Sequence, residues 1–430
     1  MVMNNELSGK KLLVLGATAN EIPLVKRAQE LGVYVITTDY NTDYNKSPAK
    51  RVANECWDIS WSDLDELDRL CHKHHVNGIT AGFSEIRVDN MIQLCERLGF
   101  PSYINPKQLE ITRDKILFKE ECRKNNVPTI KEYCSIDDVD SFPVIVKPTD
   151  RAGSIGVSIA NNRAELEVAY QTAMEKSIVK KVIIEEYITD AVEMDVHYAI
   201  QDGRITLLTT DDIIAAAGNA KDRKVVQSAW MYPSKYHEVF LSKVDSKIRE
   251  MIIDMGVQNG TIFFSGFANS KGDFSFFECG FRLWGEQEFT YDYLCGNLNY
   301  LDIYIYHALL GKTTDIEKNQ QGNPKLKGVS INLYVKDGVI SEINGLNKDS
   351  LGSDCCLCIN DSYIGQKCFF DNAILTKAGL IGFANWSAGA LYDDVLRAYK
   401  TISVMDQNGN NMIYDQIDAN LIKRWWNENE

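Results

Sequence analysis

Val144-Ile145-Val146-Lys147-Pro148, followed after Thr149 by Asp150-Arg151-Ala152-Gly153-Ser154-Ile155-Gly156-Val157, is the stretch on which the reading of this chain turns. A short β-branched run ending in Lys reads as a buried strand that delivers one fixed cation. The Gly-punctuated segment behind it lets backbone N–H groups close over phosphate oxygens. Together they predict nucleoside triphosphate chemistry. The order is wrong for a Walker loop, whose Lys follows its glycines, and the full G-x-x-x-x-G-K-[ST] pattern does not occur. It is wrong too for the kinase Gly-rich loop, which precedes its Lys and needs H-R-D and D-F-G partners that this chain lacks.

The rest of the composition agrees with an enzyme of the cytoplasm. A chain of 430 residues exceeds the size at which one core stops growing, so two or three domains are expected. With 45% hydrophobic and 25% charged residues it is ordinary globular material. No apolar run reaches the roughly 18 residues of a membrane span. Met1 to Glu6 lacks the basic and apolar regions of a signal peptide, which points to the cytoplasm. Eleven scattered cysteines then read as reduced, buried thiols and not as a disulfide framework. A net charge of -14 opposes nucleic acid and anionic membranes as partners and favours small-molecule substrates.

Strand and helix signals alternate over the first hundred residues. Lys11 to Leu15, Val33 to Thr37 and Gly78 to Gly82 read as strands; Glu21 to Leu31, Leu64 to His74 and Asp89 to Leu98 read as helices, with Gly32 and Gly99 as stops. Such alternation predicts a doubly wound parallel sheet. The turn Gly16-Ala17-Thr18-Ala19-Asn20 holds one glycine where a dinucleotide fingerprint needs three, so NAD is set aside, although Asp39 ends the second strand. The loops 16–20, 39–45 and 82–87 are expected to face a cleft.

Beyond Pro106 the pattern changes. A helix is expected from Thr112 through Lys124, broken by Val127-Pro128-Thr129. Val182 to Ile188 reads as an apolar strand running into Glu185 and Glu186. Glu193, Asp195 and His197 alternate with Met194, Val196 and Tyr198 as in a half-buried strand. Asp195 with His197 raises a metal or acid–base pair, and the preferred reading is a polar sheet face lining a cleft. Asp222 to Gln227 joins a loop to a strand and carries Arg223 and Lys224. Phe274 to Phe277 is an aromatic strand ending at Glu278, and an odd offset of five sets Asp273 on the opposite face. Strands at 329–335, 339–343 and 378–383 and a helix at 388–401 complete the chain. Cys355, Cys356 and Cys358 alternate as in a strand, not as the paired turns of a zinc site.

A strand Lys ahead of a glycine loop, with Glu278-Cys279-Gly280-Phe281-Arg282 downstream, resembles the ATP-grasp superfamily, the fold of biotin carboxylase, carbamoyl phosphate synthase and D-alanine ligase. The resemblance implies a mixed α/β and α+β chain: a doubly wound pre-ATP-grasp domain at 1–106, an ATP-grasp domain at 107–318 and a small α+β closing domain at 319–430. It implies ATP and Mg²⁺ as cofactors. Lys115, Lys147, Arg151, Gly153, Ser154 and Gly156 would meet the phosphates. Glu185, Glu186, Tyr187 and Ile188 would form the adenine hinge, and Glu193 would hold the ribose. Glu278 would ligate Mg²⁺, with Glu286 or Glu288 helping, while Arg282 and Lys224 would contact phosphate or acyl substrate. The chain departs from the family at Gly280, where a second ligand Asn is usual, and at Ser265-Gly266-Phe267-Ala268, where an acid or amide is usual. The implied activity joins a carboxylate, activated as its acyl phosphate, to an amine and releases ADP. The alternatives are carboxyphosphate and carbamate chemistry, or an ATP-binding regulatory module without turnover. A homodimer is compatible with the resemblance.

Overall fold

The computed structural model describes residues 5–151, 155–215, 227–287, 289–296, 298–313, 325–370, 376–414 and 416–426. Gly153, Ser154, Lys224 and Glu288 lie outside the described residues.

The N-terminal part runs β1 (Lys11–Leu15), α1 (Ile22–Glu30), β2 (Tyr34–Thr38), β3 (Glu55–Trp57), α2 (Leu64–His74), β4 (Gly78–Thr80) and α3 (Glu85–Leu98). Its strands form a parallel sheet in the order β3-β2-β1-β4. The apolar run of β1 is fully buried, which is why it takes the centre. Strand β3 is too short and too polar to stand out in the sequence. Gly16 adopts φ 114°, and a Cβ there would lie 1.9 Å from the Arg87 guanidinium. Arg87 in turn reaches Glu21 at 2.8 Å, so the glycine of this turn makes room for a buried ion pair. Asp39 accepts from the Asn41 backbone and the Ser47 hydroxyl at 2.8 Å each, and so organises its own loop.

The helix expected over 112–124 is two helices, α4 (Pro106–Arg113) and α5 (Lys115–Lys124). Asp114 between them is extended, and its carboxylate accepts from the N–H groups of Ile116 at 2.8 Å and Leu117 at 3.1 Å. A residue that caps a helix cannot also continue the previous one. Lys115 thereby becomes the first residue of α5.

Next come β5 (Glu132–Tyr133), β6 (Val144–Pro148), β7 (Ser158–Ala160), α6 (Arg163–Lys176) and β8 (Val182–Glu186). The strands make a small antiparallel sheet in the order β5-β8-β6-β7. Val144, Val146 and Ile184 pack against Leu166, Ala169 and Ala173 of α6.

The larger body contains β9 (Ala191–Gln201), β10 (Arg204–Ala215), β11 (Gln227–Tyr232), α7 (His237–Lys243), α8 (Asp245–Asp254), β12 (Gly260–Asn269), β13 (Phe274–Phe281), α9 (Phe289–Gly296) and α10 (Leu301–Leu310). After it follow β14 (Lys327–Tyr334), β15 (Gly338–Asn344), α11 (Lys348–Leu351), β16 (Cys355–Asn360), β17 (Lys367–Cys368), β18 (Lys377–Asn385), α12 (Ala388–Thr401), β19 (Ser403–Asp406) and α13 (Asn420–Trp425). Among the described residues one antiparallel sheet runs β13-β12-β9-β10-β11-β14-β18-β16. The late strands therefore extend the central sheet, with Ala229 opposite Ile331 at the join. The cysteine alternation of β16 is a strand pattern, Cys355, Leu357 and Ile359 being buried. The triplet Gly311-Lys312-Thr313 closes α10 instead of opening a phosphate loop, with Gly311 left-handed at φ 70°. No helix among the described residues is long and apolar enough to cross a membrane.

Asp114→Ala should cost about 1 kcal/mol, the usual worth of such a cap, and lower the urea midpoint in proportion. An unchanged midpoint would show that the break between α4 and α5 needs no cap.

Candidate active site

Two lysines and one carboxylate anchor the small sheet. Glu185 sits in β8 beside β6, fully buried. Lys147 Nζ lies 2.5 Å from Glu185 Oε2. Lys119, from α5, binds the other Glu185 oxygen and stands 3.4 Å from Glu132. Burial alone drives a carboxyl up, but the charges of Lys147 and Lys119 outweigh it, and Glu185 titrates below its usual range. Glu185 is thus the counter-ion that fixes Lys147, and its side chain is committed. Glu186 donates its N–H to Lys131 O and Tyr187 donates to Pro143 O, which steers the chain out of β8 towards Ile188.

Lys115 crosses to the large sheet. Its Nζ donates to Arg151 O at 3.1 Å and lies 3.8 Å from Glu278 Oε2. Lys147 Nζ stands 5.2 Å from the Phe277 ring centre. The Arg151 guanidinium turns the other way and donates to Lys176 O at the end of α6, 2.7 Å away. Gly156 returns the loop at φ 76°, where a Cβ would come within 2.8 Å of Lys176.

Glu278 reaches this cleft because β13 is bulged. Ser265 pairs with Glu278 and Gly266 with Phe276, leaving Phe277 as the extra residue. Phe276 and Cys279, three apart, both enter the core, and Glu278 turns outward. The period-two argument about Asp273 fails for the same reason, since the bulge reverses the parity. Asp273 instead belongs to the turn before β13, where it bonds Asn269. Both family departures have a packing cause. A Cβ at Gly280 would lie 2.3 Å from the Phe263 ring, and one at Gly266 would lie 2.8 Å from Phe276.

Arg282 lies under this aromatic group, its guanidinium 5.3 Å from the Phe263 ring centre and 5.9 Å from that of Trp284. It is 3.9 Å from Glu85 at the start of α3, which Arg113 also holds at 3.1 Å. Arg282 so faces the junction between the N-terminal sheet and the large sheet.

The acids of β9 sit deeper than a half-buried strand allows. From Met194 onward every residue of β9 is buried, including Asp195 and His197. Glu193, nearer the rim, accepts from Gln227 at 2.8 Å. Burial first, and then the charge of Glu278, push Glu193 up to about 7. Asp195 rises well above its usual range through burial and then through Asp211 beside it. The sequence reading missed Lys119, although its i,i+4 spacing from Lys115 sets both on one helix face. It also missed Asp211, whose signal is an acid pair inside the apolar run of β10.

The structure superposes on the biotin carboxylase domain of Hydrogenobacter thermophilus 2-oxoglutarate carboxylase, a dimer solved with MgADP, ADP and bicarbonate, with a TM-score of 0.78 over 96% of this chain and 94% of that one at 16% identity. The fold is ATP-grasp. Phosphoribosylglycinamide synthetase from Anaerococcus prevotii shares it with a TM-score of 0.72 at 17% identity, over 93% of this chain and 100% of that one. Residues 107–258 match the family described as D-ala D-ala ligase C-terminus. In sequence it is 28% identical to formate-dependent phosphoribosylglycinamide formyltransferase of Bacillus subtilis over 194 residues, 42% of this chain and 48% of the relative. The corresponding protein of Trichormus variabilis is 27% identical over 237 residues, 51% of this chain and 57% of the relative. The chain spans about half the length of these curated relatives.

An acid raised in the folded state binds its proton more tightly folded than unfolded. The stability Glu193 contributes is therefore complete below its ordinary value of 4.5 and is lost as pH climbs through about 7. Glu193→Gln should remove that part of the decline, so that the variant gains melting temperature over wild type as pH rises. Parallel curves for the two proteins would refute the assignment.

Proposed function

We propose that the chain is an ATP-dependent ligase that activates a carboxylate as its acyl phosphate and passes the acyl group to an amine, releasing ADP and phosphate. The observation that carries this reading is the approach of Lys115 to Glu278, with the Glu185-fixed Lys147 over the neighbouring Phe277 ring. The names of the relatives fit it, formate being the simplest carboxylate to test.

In this reading Lys115 and Lys147 hold the phosphates, the left-handed turn at Gly156 lets the loop close over them, and Glu193 meets the ribose. Glu186, Tyr187 and Ile188 border the adenine. Arg282 orients the acyl oxygens. A carboxylate oxygen attacks the terminal phosphorus as the bond to ADP breaks. The amine nitrogen then attacks the acyl carbon, phosphate leaves with the electron pair of the C–O bond, and the proton shed by the nitrogen passes to the leaving phosphate or to water.

The residues present fit a Mg²⁺ ion held with the nucleotide. Glu278 offers hard oxygens at the cleft, and Mg²⁺ commonly uses one or two carboxylates with substrate phosphates and water. When bound, that ion would neutralise charge on the transferred phosphoryl group. The aromatic closure at Gly280 and Gly266 leaves Glu278 as the protein ligand that the geometry favours. The segments 1–106, 107–318 and 319–430 would act as the substrate-side, nucleotide and closing units, and the cytoplasm would supply both substrates.

Lys147→Ala should weaken ATP binding at least tenfold, since a charged hydrogen bond is worth roughly 1.5–3 kcal/mol. Unchanged affinity by calorimetry would remove the core of the proposal.

Turnover should appear as carboxylate-dependent ADP release in a screen that includes formate and bicarbonate, with hydroxylamine trapping the intermediate as a hydroxamate. Glu278→Gln should cut that rate by orders of magnitude while nucleotide binding falls modestly. AMP as product would reverse the roles given to Lys147 and Glu278. ATP binding without turnover on any acid would favour a regulatory module, for which the reduced ligand set at Gly280 and Gly266 speaks.

A further inference from the structure

Behind the nucleotide cleft, the large sheet buries a group of side chains that the phosphoryl transfer proposed above does not use. Asp195 and His197 project from one face of β9. Asp211 of β10 is the cross-strand partner of Asp195. Their ligand atoms all lie within 4.8 Å of one another. Exposure is 0% for Asp195, 3% for His197 and 0% for Asp211. His197 Nε2 is 2.8 Å from Asp211 Oδ2. That contact occupies one oxygen. Asp211 Oδ1 and both oxygens of Asp195 are buried without a well-formed hydrogen bond, the Ser265 side chain acting on Asp195 and the Asp195 backbone on Asp211 only weakly.

Two wholly buried carboxylates with three poorly partnered oxygens are a costly arrangement unless a positive charge joins them. Among the described residues no Lys or Arg forms an ion pair with either acid. Glu193 and Glu278 add further negative charge nearby.

We propose that Asp195, His197 and Asp211 bind one divalent transition cation of the zinc or manganese type, at a place separate from Glu278. The donor set selects the class. An imidazole nitrogen with two carboxylates suits Zn²⁺ or Mn²⁺, whereas Mg²⁺ and Ca²⁺ prefer oxygen ligands throughout. Donors about 2.0–2.2 Å from one tetrahedral zinc ion stand about 3.3–3.6 Å apart, so the three side chains, now within 4.8 Å of one another, would draw together on the ion. The surroundings give the site a closed wall. Ser265 pairs with Asp195 across the sheet, and the Trp284 ring meets the His197 ring edge-on at 5.6 Å. The bound ion ties β9 to β10 and removes negative charge from the floor on which phosphates must rest. It is a positioning ion, and it takes no part in bond making.

The test uses the full chain with the Glu278→Gln substitution, which silences the cleft carboxylate and leaves the buried group intact. Chelator-stripped protein is titrated with Co²⁺ as a spectroscopic stand-in. One equivalent should bind and give ligand-field bands of a nitrogen- and oxygen-coordinated ion, displaced by Zn²⁺. Adding His197→Gln or the near-isosteric Asp195→Asn should weaken uptake at least tenfold, with circular dichroism confirming that each stripped variant is folded. If one variant does not fold, the other decides. Absence of stoichiometric uptake at micromolar Co²⁺, or uptake undiminished in the folded variants, overturns the proposal, and the acids then hold protons in place of a metal.

Discussion

The clamp of Lys119 and Lys147 on Glu185 is the constraint on which the small sheet and its cleft depend. A carboxylate with no exposed surface is tolerable only when its charge is answered, and here α5 and β6 each supply one cation. Removing one partner of such a buried group typically costs about 3–5 kcal/mol, because the other charge is left stranded. The three residues thus tie α5, β6 and β8 together beside the apolar core under α6. The same clamp aligns Lys147 without spending its whole hydrogen-bonding capacity, since an ammonium has three donors. A phosphate bound there as proposed would meet a cation already held in place, and less side-chain freedom would be lost on binding.

A second constraint works on the opposite wall. The bulge at Phe277 turns Glu278 outward while keeping Phe276, Cys279 and Phe281 in the core. Without that extra residue, strict alternation would send Glu278 into the apolar layer. The Phe263 ring then lies where a side chain at position 280 would project, and it supports the Arg282 guanidinium. Loss of the usual second ligand and the seating of Arg282 are therefore one packing event. An aromatic floor that leaves a single carboxylate places more of the charge compensation on the lysines across the cleft.

These two walls also show what the sequence could and could not disclose. The parallel sheet, α2 from Leu64 to His74 and the strand pattern of β16 follow from periods of 3.6 and 2 that survive folding intact. The break at Asp114 was missed because an acid inside a helical pattern is locally ambiguous, and only its two N–H contacts show it to be a cap. Lys147 and Glu278 were legible from their place in an ordered series of motifs. Lys119, Asp211 and the bulge were not, because each owes its role to a partner far along the chain: Glu185 lies 66 positions beyond Lys119. The joining of β14 to β11 was equally hidden, since hydrophobic alternation tells which face is buried and not which strand lies alongside.

The charge layout links these parts to chemistry. Cations come from the small sheet and α5, at Lys115, Lys119 and Lys147, while Glu193, Asp195, Asp211 and Glu278 stand on the large sheet. Direct contact between the two sets is slight, with Lys115 and Glu278 3.8 Å apart. Such a pair contributes little by itself, and Lys119 and Lys147 are already answered by Glu185 on their own side, which leaves Glu278 facing the cleft with Lys115 as its nearest cation. A polyphosphate against the lysines, with a divalent ion against Glu278, would satisfy both walls together and bring them closer. If the chain takes these ligands as proposed, each would be held more weakly without the other, and the two occupancies would be coupled through the charges of both walls.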